Sequence, residues 1–115
     1  MGEYMEENKL KIYMKSIKAN YEATAEYEDG KVIIKSGSRI RKCNKNYNRP
    51  KLFQLIRDDC NKVKDYMLVE DITFNSPSTA ASFVADTSKN GLIYWRDKNN
   101  TKLKEILGGK KSGKK

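Results

Sequence analysis

Basic side chains that can contact phosphate are concentrated in one part of this chain, whose formal net charge is +9. Residues 30–57 contain nine Lys and Arg and no Asp or Glu, and residues 108–115 add four more Lys. A cluster of cations without acids is typical of a protein that binds a polyanion such as DNA. The alternative is a basic surface that has no partner and only protects a sheet edge. We predict phosphate contacts from Lys35, Arg39, Arg41, Lys42, Lys45, Arg49 and Lys51.

A second candidate binding site lies at a predicted helix start. Ser76 is a favourable N-cap residue, and Pro77 suits the first helical turn because its missing N–H costs nothing there. Ser78 and Thr79 follow, so three hydroxyls would cluster beside the free backbone N–H groups at the positive end of the helix dipole. We predict that Ser76, Ser78 and Thr79 hold a phosphate or a sugar. In the alternative, Ser76 is only a cap and the other two hydroxyls face solvent.

The residues of the commonest catalytic centres are missing. There is no His, which removes the commonest general base and the commonest nitrogen ligand of metals. Cys43 and Cys60 cannot form a zinc site on their own. Glycine-rich phosphate-binding motifs are absent, and the acidic pairs at 58–59 and 70–71 are interpreted as surface groups rather than a magnesium site. We therefore predict a protein that is not an enzyme and that uses no cofactor or metal.

Sequence features that place a protein in a membrane or export it are also missing. No apolar run approaches the ~20 residues that span a bilayer. The acidic residues 1–7 do not have the order of a signal peptide. We expect a cytoplasmic protein that has no membrane partner and whose two cysteines are reduced thiols.

Periodic patterns predict the strands that would position these groups. Apolar and polar residues alternate over 21–27, Asp29-Gly30 favours a tight turn, and the β-branched residues of 31–36 suit a returning strand. Shorter strands are predicted near residues 10–14, 66–70 and 92–95. The expected fold class is α+β, with a small antiparallel sheet on which two or three helices pack.

Helices are predicted at residues 49–64 and 77–86, and a short third helix is expected to begin at Thr101 and to end at Gly108-Gly109. The second is rich in alanine, so another element can approach it closely. In the first, residues at helical spacing are expected to form the buried face, with the cysteine as a small apolar member. These residues are Leu52, Leu55, Ile56, Cys60 and Val63.

One domain is expected over residues 9–107. Residues 1–8 are predicted to be a disordered lead-in, and residues 108–115 a disordered tail whose lysines add salt-sensitive, non-specific affinity for phosphate. Trp95 is interpreted as a core residue, with base stacking as the alternative.

Three segments of the chain resemble the signatures of a known family. Residues 32–38 resemble its apolar strand followed by Gly-Ser, and residues 74–81 its Phe-x-Ser-Pro-Ser-x-Ala-Ala segment. Asn90-Gly91 with Trp95 and Leu103 resembles its closing segment. The order and spacing, over residues 20–107, are similar to the domain of unknown function that often follows GIY-YIG endonuclease domains in prokaryotic proteins. They are also similar to the RAMA (restriction enzyme adenine methylase associated) domain.

The resemblance implies work on DNA, as a module beside a nuclease or a restriction-modification enzyme. Residues 91–94 look like a fragment of the GIY motif, but no YIG segment accompanies them, so the chain is not the nuclease. We expect a non-catalytic accessory module that binds double-stranded DNA and targets such an activity. Two alternatives are a protein-interaction module, which docks a neighbouring domain or forms a homodimer through a sheet edge or the Trp95 face, and a phosphate- or nucleotide-sensing domain built on residues 76–79.

Overall fold

A computed structural model describes residues 9–112, with side chains as far as Gly108. Four strands form an antiparallel sheet in the order β1-β2-β3-β6, and two short strands, β4 and β5, pair as a separate small sheet. The strands are β1 Leu10–Ser16, β2 Tyr21–Glu28, β3 Lys31–Ile34, β4 Val63–Lys64, β5 Met67–Leu68 and β6 Ile72–Phe74. The predicted lead-in, residues 1–8, and residues 113–115 of the predicted tail lie outside the described residues.

Four helices within residues 9–112 accompany the sheets, so the α+β fold class is confirmed. They are α1 Lys51–Asp58, α2 Pro77–Ala85, α3 Gly91–Tyr94 and α4 Leu103–Ser112. Helix α2 packs on β2, β3 and β6, and α3 packs on α2. The core therefore lies between one face of the four-stranded sheet and α2.

The β2–β3 hairpin forms as predicted. Ala25 pairs with Ile34 and Tyr27 with Val32 across the two strands. Between the strands, Asp29 (φ 52°) and Gly30 (φ 87°) both adopt the left-handed conformation that a tight hairpin turn of matching twist requires. Strand β3 is central, because β6 pairs along its other edge.

Helix α1 is shorter than predicted, and its predicted buried face is wrong in part. Val63 is buried and Ile56 packs against the core, but the other three residues are exposed. The helix ends at Asp58, so Cys60 lies beyond it and is exposed, and Val63 belongs to β4. Leu52 and Leu55 are 56% and 58% exposed, respectively.

The buried residue of α1 is Phe53, whose ring centroid lies 5.8 Å from that of Phe74 and 5.4 Å from that of Phe83, both edge to face. Residues one apart on a helix differ by about 100° in direction, so burying Phe53 turns Leu52 away from the core. The three-ring cluster decides the orientation of α1, because a ring buries more apolar surface than a single leucine and its edge-to-face contacts add to that gain.

The strand predicted near 92–95 is instead the helical turn α3, and Trp95 follows it. The Asn90 side chain accepts a hydrogen bond from the backbone N–H of Leu92 (3.0 Å), so Asn90-Gly91 starts a helix. Trp95 is fully buried, in agreement with its interpretation as core. The chain then pairs with the edge of β1 at a single residue, Arg96, opposite Tyr13.

The last helix also differs from its prediction. Helix α4 continues through Gly108 and Gly109 to Ser112, so the predicted helix stop at Gly108-Gly109 is wrong. A glycine inside a helix costs about 1 kcal/mol relative to alanine, but it ends the helix only where the backbone turns left-handed. The N–H of Leu103 donates to the carbonyl of Trp95 (2.8 Å), which joins this helix to the core.

Candidate nucleic-acid interface

Six of the seven predicted phosphate-binding cations lie in one segment, residues 39–51, which is called the basic loop below. It runs from the end of the sheet to the first residue of α1. Arg39 attaches its beginning to β2, because its backbone N–H donates to the carbonyl of Glu22 (2.8 Å) and its carbonyl accepts from the N–H of Glu22 (3.0 Å). Most of the remaining loop has no regular secondary structure, so other contacts must fix its course.

The C-terminal end of α2 provides those contacts. The backbone N–H of Arg41 donates to the carbonyl of Val84 (2.8 Å), and its guanidinium lies 3.5 Å from the carbonyl of Ala85. The Asn44 side chain donates to the carbonyl of Asp86 (3.0 Å), and its backbone N–H donates to the Asp86 carboxylate (2.6 Å). The loop thus satisfies carbonyls that a helix end leaves without partners, and it places a cation near the negative end of the helix dipole.

Asp86 itself is a fully buried carboxylate between two arginines. Nε and Nη2 of Arg49 each donate to a different carboxylate oxygen at 2.6 Å, a bidentate pair. Nη2 of Arg57 lies 3.7 Å from the carboxylate and donates to the carbonyl of Phe83 (3.3 Å). Arg49 also bonds to Gln54. Because its guanidinium is occupied inside the protein, Arg49 has a structural role rather than the predicted contact with phosphate.

The protonation states of this cluster follow from its burial and its pairing. Burial alone would raise the pKa of Asp86, but the hydrogen bonds from Arg49 and Asn44 and the charge of Arg57 outweigh it and hold the pKa below its ordinary value. The hydrogen bond to Asp86 raises the pKa of Arg49 above its ordinary value. Burial lowers the pKa of Arg57, and the attraction of Asp86 opposes that effect. Two cations and one anion leave one net positive charge in the cluster that anchors the basic loop.

The exposed cations of the basic loop have no acid within ion-pair distance among residues 9–108. Lys42 lies with its ammonium 6.0 Å from the centre of the Tyr66 ring, which is too long for a strong interaction. These side chains extend from a loop whose backbone is anchored, so their charge is directed toward solvent. They are Arg39, Lys42, Lys45 and Lys51.

Lys35, which was also predicted to contact phosphate, lies before the loop and is paired differently. Its ammonium is 2.9 Å from the carboxylate of Asp71 and 3.9 Å from that of Glu26. The backbone N–H of Ser36 donates to the same Asp71 (2.8 Å). Two acids therefore offset the charge of Lys35, and we do not assign it to the interface.

At the predicted helix start, the hydroxyls serve the fold. Ser76 caps α2 by accepting a hydrogen bond from the N–H of Thr79 (3.1 Å), and its hydroxyl donates to that of Thr79 (2.8 Å). The Ser78 hydroxyl accepts from the N–H of Gly91 (2.9 Å). These contacts agree with the alternative in which Ser76 is only a helix cap. They differ from it at Ser78, whose hydroxyl bonds to a neighbouring segment instead of facing only solvent.

The start of α2 and the segment around α3 pack closely together. These two segments, residues 76–79 and 90–95, are together called the motif joint below. A Cβ atom on Gly91 would lie 2.1 Å from the carbonyl carbon of Pro77, so only glycine fits there. The indole N–H of Trp95 donates to the Pro77 carbonyl (3.0 Å). The family-like signatures at 74–81 and 90–95 therefore meet in space and hold α2 against α3.

The motif joint and the basic loop do not share one surface region. The joint contains the N-terminal end of α2, whereas the loop is attached to its C-terminal end. Nine helical residues separate the two ends by about 13 Å. Ser76, Ser78 and Thr79 therefore do not extend the cationic surface, and the proposed interface consists of the loop alone.

Sequence reasoning missed two features of the site. One is the Asp86 cluster, although Asp86 is the only acid in residues 72–96 and directly follows an apolar helix, which signals a buried charge. The other is a cleft of about 430 Å³ lined by Tyr13, Tyr21 and Tyr94 together with three cations. No local pattern predicts it, because its walls come from separate segments of the chain.

The fold and these contacts define a small α+β domain that presents an anchored cationic loop. Among residues 9–112, no group of three or more His, Cys, Asp or Glu has the arrangement of a metal site. None of the helices in that range combines the length and the apolar composition needed to cross a bilayer.

Residues 12–107 match the family described as "Domain of unknown function (DUF4357)", and the chain belongs to this family. Comparisons with curated proteins and with solved structures gave no match.

Proposed function

We propose that this protein is a non-catalytic accessory module that binds nucleic acid, in particular double-stranded DNA, through the basic loop. One observation carries the proposal: the exposed cations of an anchored loop have no acidic partner among residues 9–108. Phosphate contacts release counterions from DNA and so supply affinity without base specificity. The contact residues proposed are Arg39, Arg41, Lys42, Lys45 and Lys51.

The anchoring of the loop favours binding by this segment. The backbone N–H groups of Arg41 and Asn44 hold the loop to the end of α2, so less conformational entropy is lost when phosphate is bound than for a free tail. The Arg49, Arg57 and Asp86 cluster anchors the loop, and its net positive charge adds to the attraction.

A finer role, the targeting of a nuclease or of a restriction-modification activity in the cytoplasm of a prokaryote, is proposed from the resemblance to domains that accompany GIY-YIG endonucleases and to the RAMA domain. In that role the module would hold DNA while a neighbouring domain supplies the chemistry. The absence of His from the sequence is consistent with a module that has no catalytic centre of its own.

A salt titration tests DNA binding. Fluorescence anisotropy of a labelled short duplex should give an affinity whose logarithm falls linearly with the logarithm of salt concentration between about 50 and 200 mM. Substituting Lys42, Lys45 and Lys51 with Gln should weaken binding and make the slope shallower by about 0.9 for each phosphate that the variant no longer neutralises.

The matched control removes the same charge elsewhere. Lys9, Lys11 and Lys104 are also exposed, and they lie outside the basic loop. Their substitution with Gln changes the net charge equally and should alter the slope much less. Equal effects of the two triple variants, or no binding of the wild-type chain at low salt, would overturn the proposal.

Protein interaction is the second candidate, and the exposure of Leu52 (56%) and Leu55 (58%) on one side of α1 favours it. The face around Trp95, which was an alternative from the sequence, cannot be the docking surface, because Trp95 is fully buried. Leu52 and Leu55 are three residues apart and form an apolar strip that a second copy of the chain could cover. Light scattering with and without duplex DNA tests self-association: a dimer that Leu52→Glu dissociates supports it, and a monomer at all concentrations excludes a homodimer.

A further inference from the structure

A cleft of about 430 Å³ opens beside the end of β1 and is separate from the basic loop. Two segments form most of it: the chain around Tyr13 and Lys15, and residues 89–100. Tyr21 of β2 also lines it. A volume of this size is within the range of clefts that hold small organic ligands.

The walls of the cleft are fixed to one another by backbone hydrogen bonds. The N–H of Tyr13 donates to the carbonyl of Arg96 (2.7 Å), and the N–H of Arg96 donates to the carbonyl of Tyr13 (2.9 Å). The Arg96 guanidinium bonds to the side chain of Asn100 (3.3 Å). The cleft is therefore already formed without a ligand, which reduces the ordering cost of binding.

The lining combines aromatic rings with cations. Three rings, of Tyr13, Tyr21 and Tyr94, accompany the cationic side chains of Lys15, Lys89 and Arg96. The one carboxylate in the lining is that of Asp97, and its Oδ1 accepts hydrogen bonds from the backbone N–H groups of residues 99 and 101, at 2.9 Å each. Rings stack on planar bases and cations bind phosphate, so the lining matches a ligand that carries both groups.

Tyr21 gives the cleft a polar group. The residue as a whole is 5% exposed, and it lines the cleft. Burial, and then the nearby Tyr94, raise the pKa of Tyr21, so its hydroxyl keeps its proton at neutral pH and can donate it. A tyrosine hydroxyl can donate a hydrogen bond to an oxygen of a ligand in the cleft.

Tyr94 is the accessible ring of this site. It is 39% exposed, and the ammonium of Lys89 lies 4.3 Å from the centre of its ring. A cation at this distance from an aromatic face is held there by the charge distribution of the ring. Tyr94 and Lys89 therefore place an aromatic surface and a positive charge next to each other at the cleft.

We propose that the tyrosine cleft binds an unstacked nucleotide, whose base contacts the Tyr94 ring and whose phosphate contacts Lys15, Lys89 or Arg96. The inference deepens the proposed function and rests on it for the identity of the ligand. The basic loop begins beside the cleft, because Arg39 exchanges two backbone hydrogen bonds with Glu22, the residue that follows Tyr21 in β2. One nucleic-acid strand can thus contact both sites.

The test compares variants at one accessible ring. Binding of a labelled single-stranded oligonucleotide is measured for the full chain, for Tyr94→Ala and for Tyr94→Phe. Loss of one base stack should weaken binding about 5- to 150-fold in Tyr94→Ala, whereas Tyr94→Phe, which keeps the ring, should bind like the wild type. Circular dichroism verifies folding, and Lys89→Gln, expected to weaken binding of the same strand, replaces Tyr94→Ala if that variant unfolds.

Duplex binding separates this inference from the proposed function. Tyr94→Ala should leave duplex affinity unchanged, whereas the substitution of Lys42, Lys45 and Lys51 should reduce it. In one outcome, substitution of the loop lysines leaves duplex binding unchanged while Tyr94→Ala still abolishes binding of the single strand. That result would overturn the proposed function and would still support the cleft as a nucleotide site. A folded Tyr94→Ala protein that binds the single strand with wild-type affinity would overturn the proposal that the cleft binds a nucleotide.

Titration of a mononucleotide shows whether the cleft binds a free nucleotide or only a nucleotide within a strand. Thymidine monophosphate is titrated into ¹⁵N-labelled protein, and backbone amide shifts of Tyr13, Lys89 and Arg96 are followed by NMR. Saturable shifts at these positions that Tyr94→Ala abolishes support the cleft and identify a free nucleotide as a sufficient ligand. Shifts there with the oligonucleotide alone support the cleft and identify a strand as the ligand. No shifts with either probe would overturn the inference.

Discussion

The basic loop and the motif joint lie at opposite ends of α2 and are built in opposite ways. The joint is held by close packing and hydrogen bonds among small residues, and Gly91 leaves no space there for a side chain. The loop contains exposed cations, and it is held by carbonyls at the end of α2 and by the buried carboxylate of Asp86. The segment with the most recognisable sequence signature is therefore architectural, and the segment with the available charge has no such signature.

Helix α2 connects the two regions mechanically. Trp95 and Ser78 fix its N-terminal end in the joint, and its C-terminal carbonyls receive the Arg41 contacts of the basic loop. The sheet holds the middle of the helix, since Ala80 and Val84 are fully buried. The position of the proposed interface thus depends on residues that do not contact a ligand, and substitutions in each region can separate the two roles.

The largest expected effect is at Asp86. Replacing it with Ala leaves Arg49 and Arg57 buried without a counter-charge, and breaking a buried ion pair in this way costs about 3–5 kcal/mol. We expect the free energy of unfolding, measured by urea titration, to fall by that amount and the basic loop to lose its anchor. Asp71→Asn is the control, because it removes an exposed ion pair with Lys35 and should cost less than ~1 kcal/mol. Similar losses in the two variants would mean that Asp86 is not a structural centre.

A smaller effect is expected at the joint. In Gly91→Ala, the new methyl group meets the backbone of Pro77 and Ser78, and overpacking of this kind costs about 1–3 kcal/mol. Gly108→Ala is matched in chemistry and places its methyl group where no atom lies within 4 Å. It should leave stability unchanged or raise it by up to ~1 kcal/mol. Thermal melting of both variants checks the difference, and an unaffected Gly91→Ala protein would contradict the packing.

Acid should weaken the loop anchor through Asp86. Because the pKa of this carboxyl is lower in the folded than in the unfolded protein, its contribution is complete above about pH 4, the ordinary range for Asp. It is lost as the pH falls through the folded pKa, since the unfolded state binds more protons in that interval. Urea unfolding across this acidic range should show a smaller pH dependence in Asp86→Asn than in the wild type. Identical pH dependences would contradict the assignment.

The smallest effect on stability is expected in the basic loop. Lys42, Lys45 and Lys51 are exposed and have no ion-pair partner among the described residues, so each substitution with Gln should change the free energy of unfolding by no more than ~0.5 kcal/mol. The triple variant should bind DNA more weakly, as proposed above. A large loss of stability would instead give these lysines a structural role and would remove the contrast between the two regions.

Local chemistry was sufficient to predict several elements. The β2–β3 hairpin follows from alternation and from Asp29-Gly30, because both signals act within a few residues. The start of α2 follows from Ser76 and Pro77 in the same way. The face of α1 was mispredicted, because Leu52 and Leu55 have the right spacing but the ring cluster around Phe53 lies far away in sequence.

The sequence by itself determined the α+β class, the hairpin, the capped helix and the concentration of cations in residues 30–57. These depend on neighbours along the chain or on composition. Only the tertiary structure decided which cations are available. Arg49 and Lys35 are paired with Asp86 and Asp71, and those acids lie more than thirty residues away. Ion pairs depend on distances in space, which the order of residues does not give. The sequence therefore showed where the cations are concentrated, and the fold decided which of them face solvent.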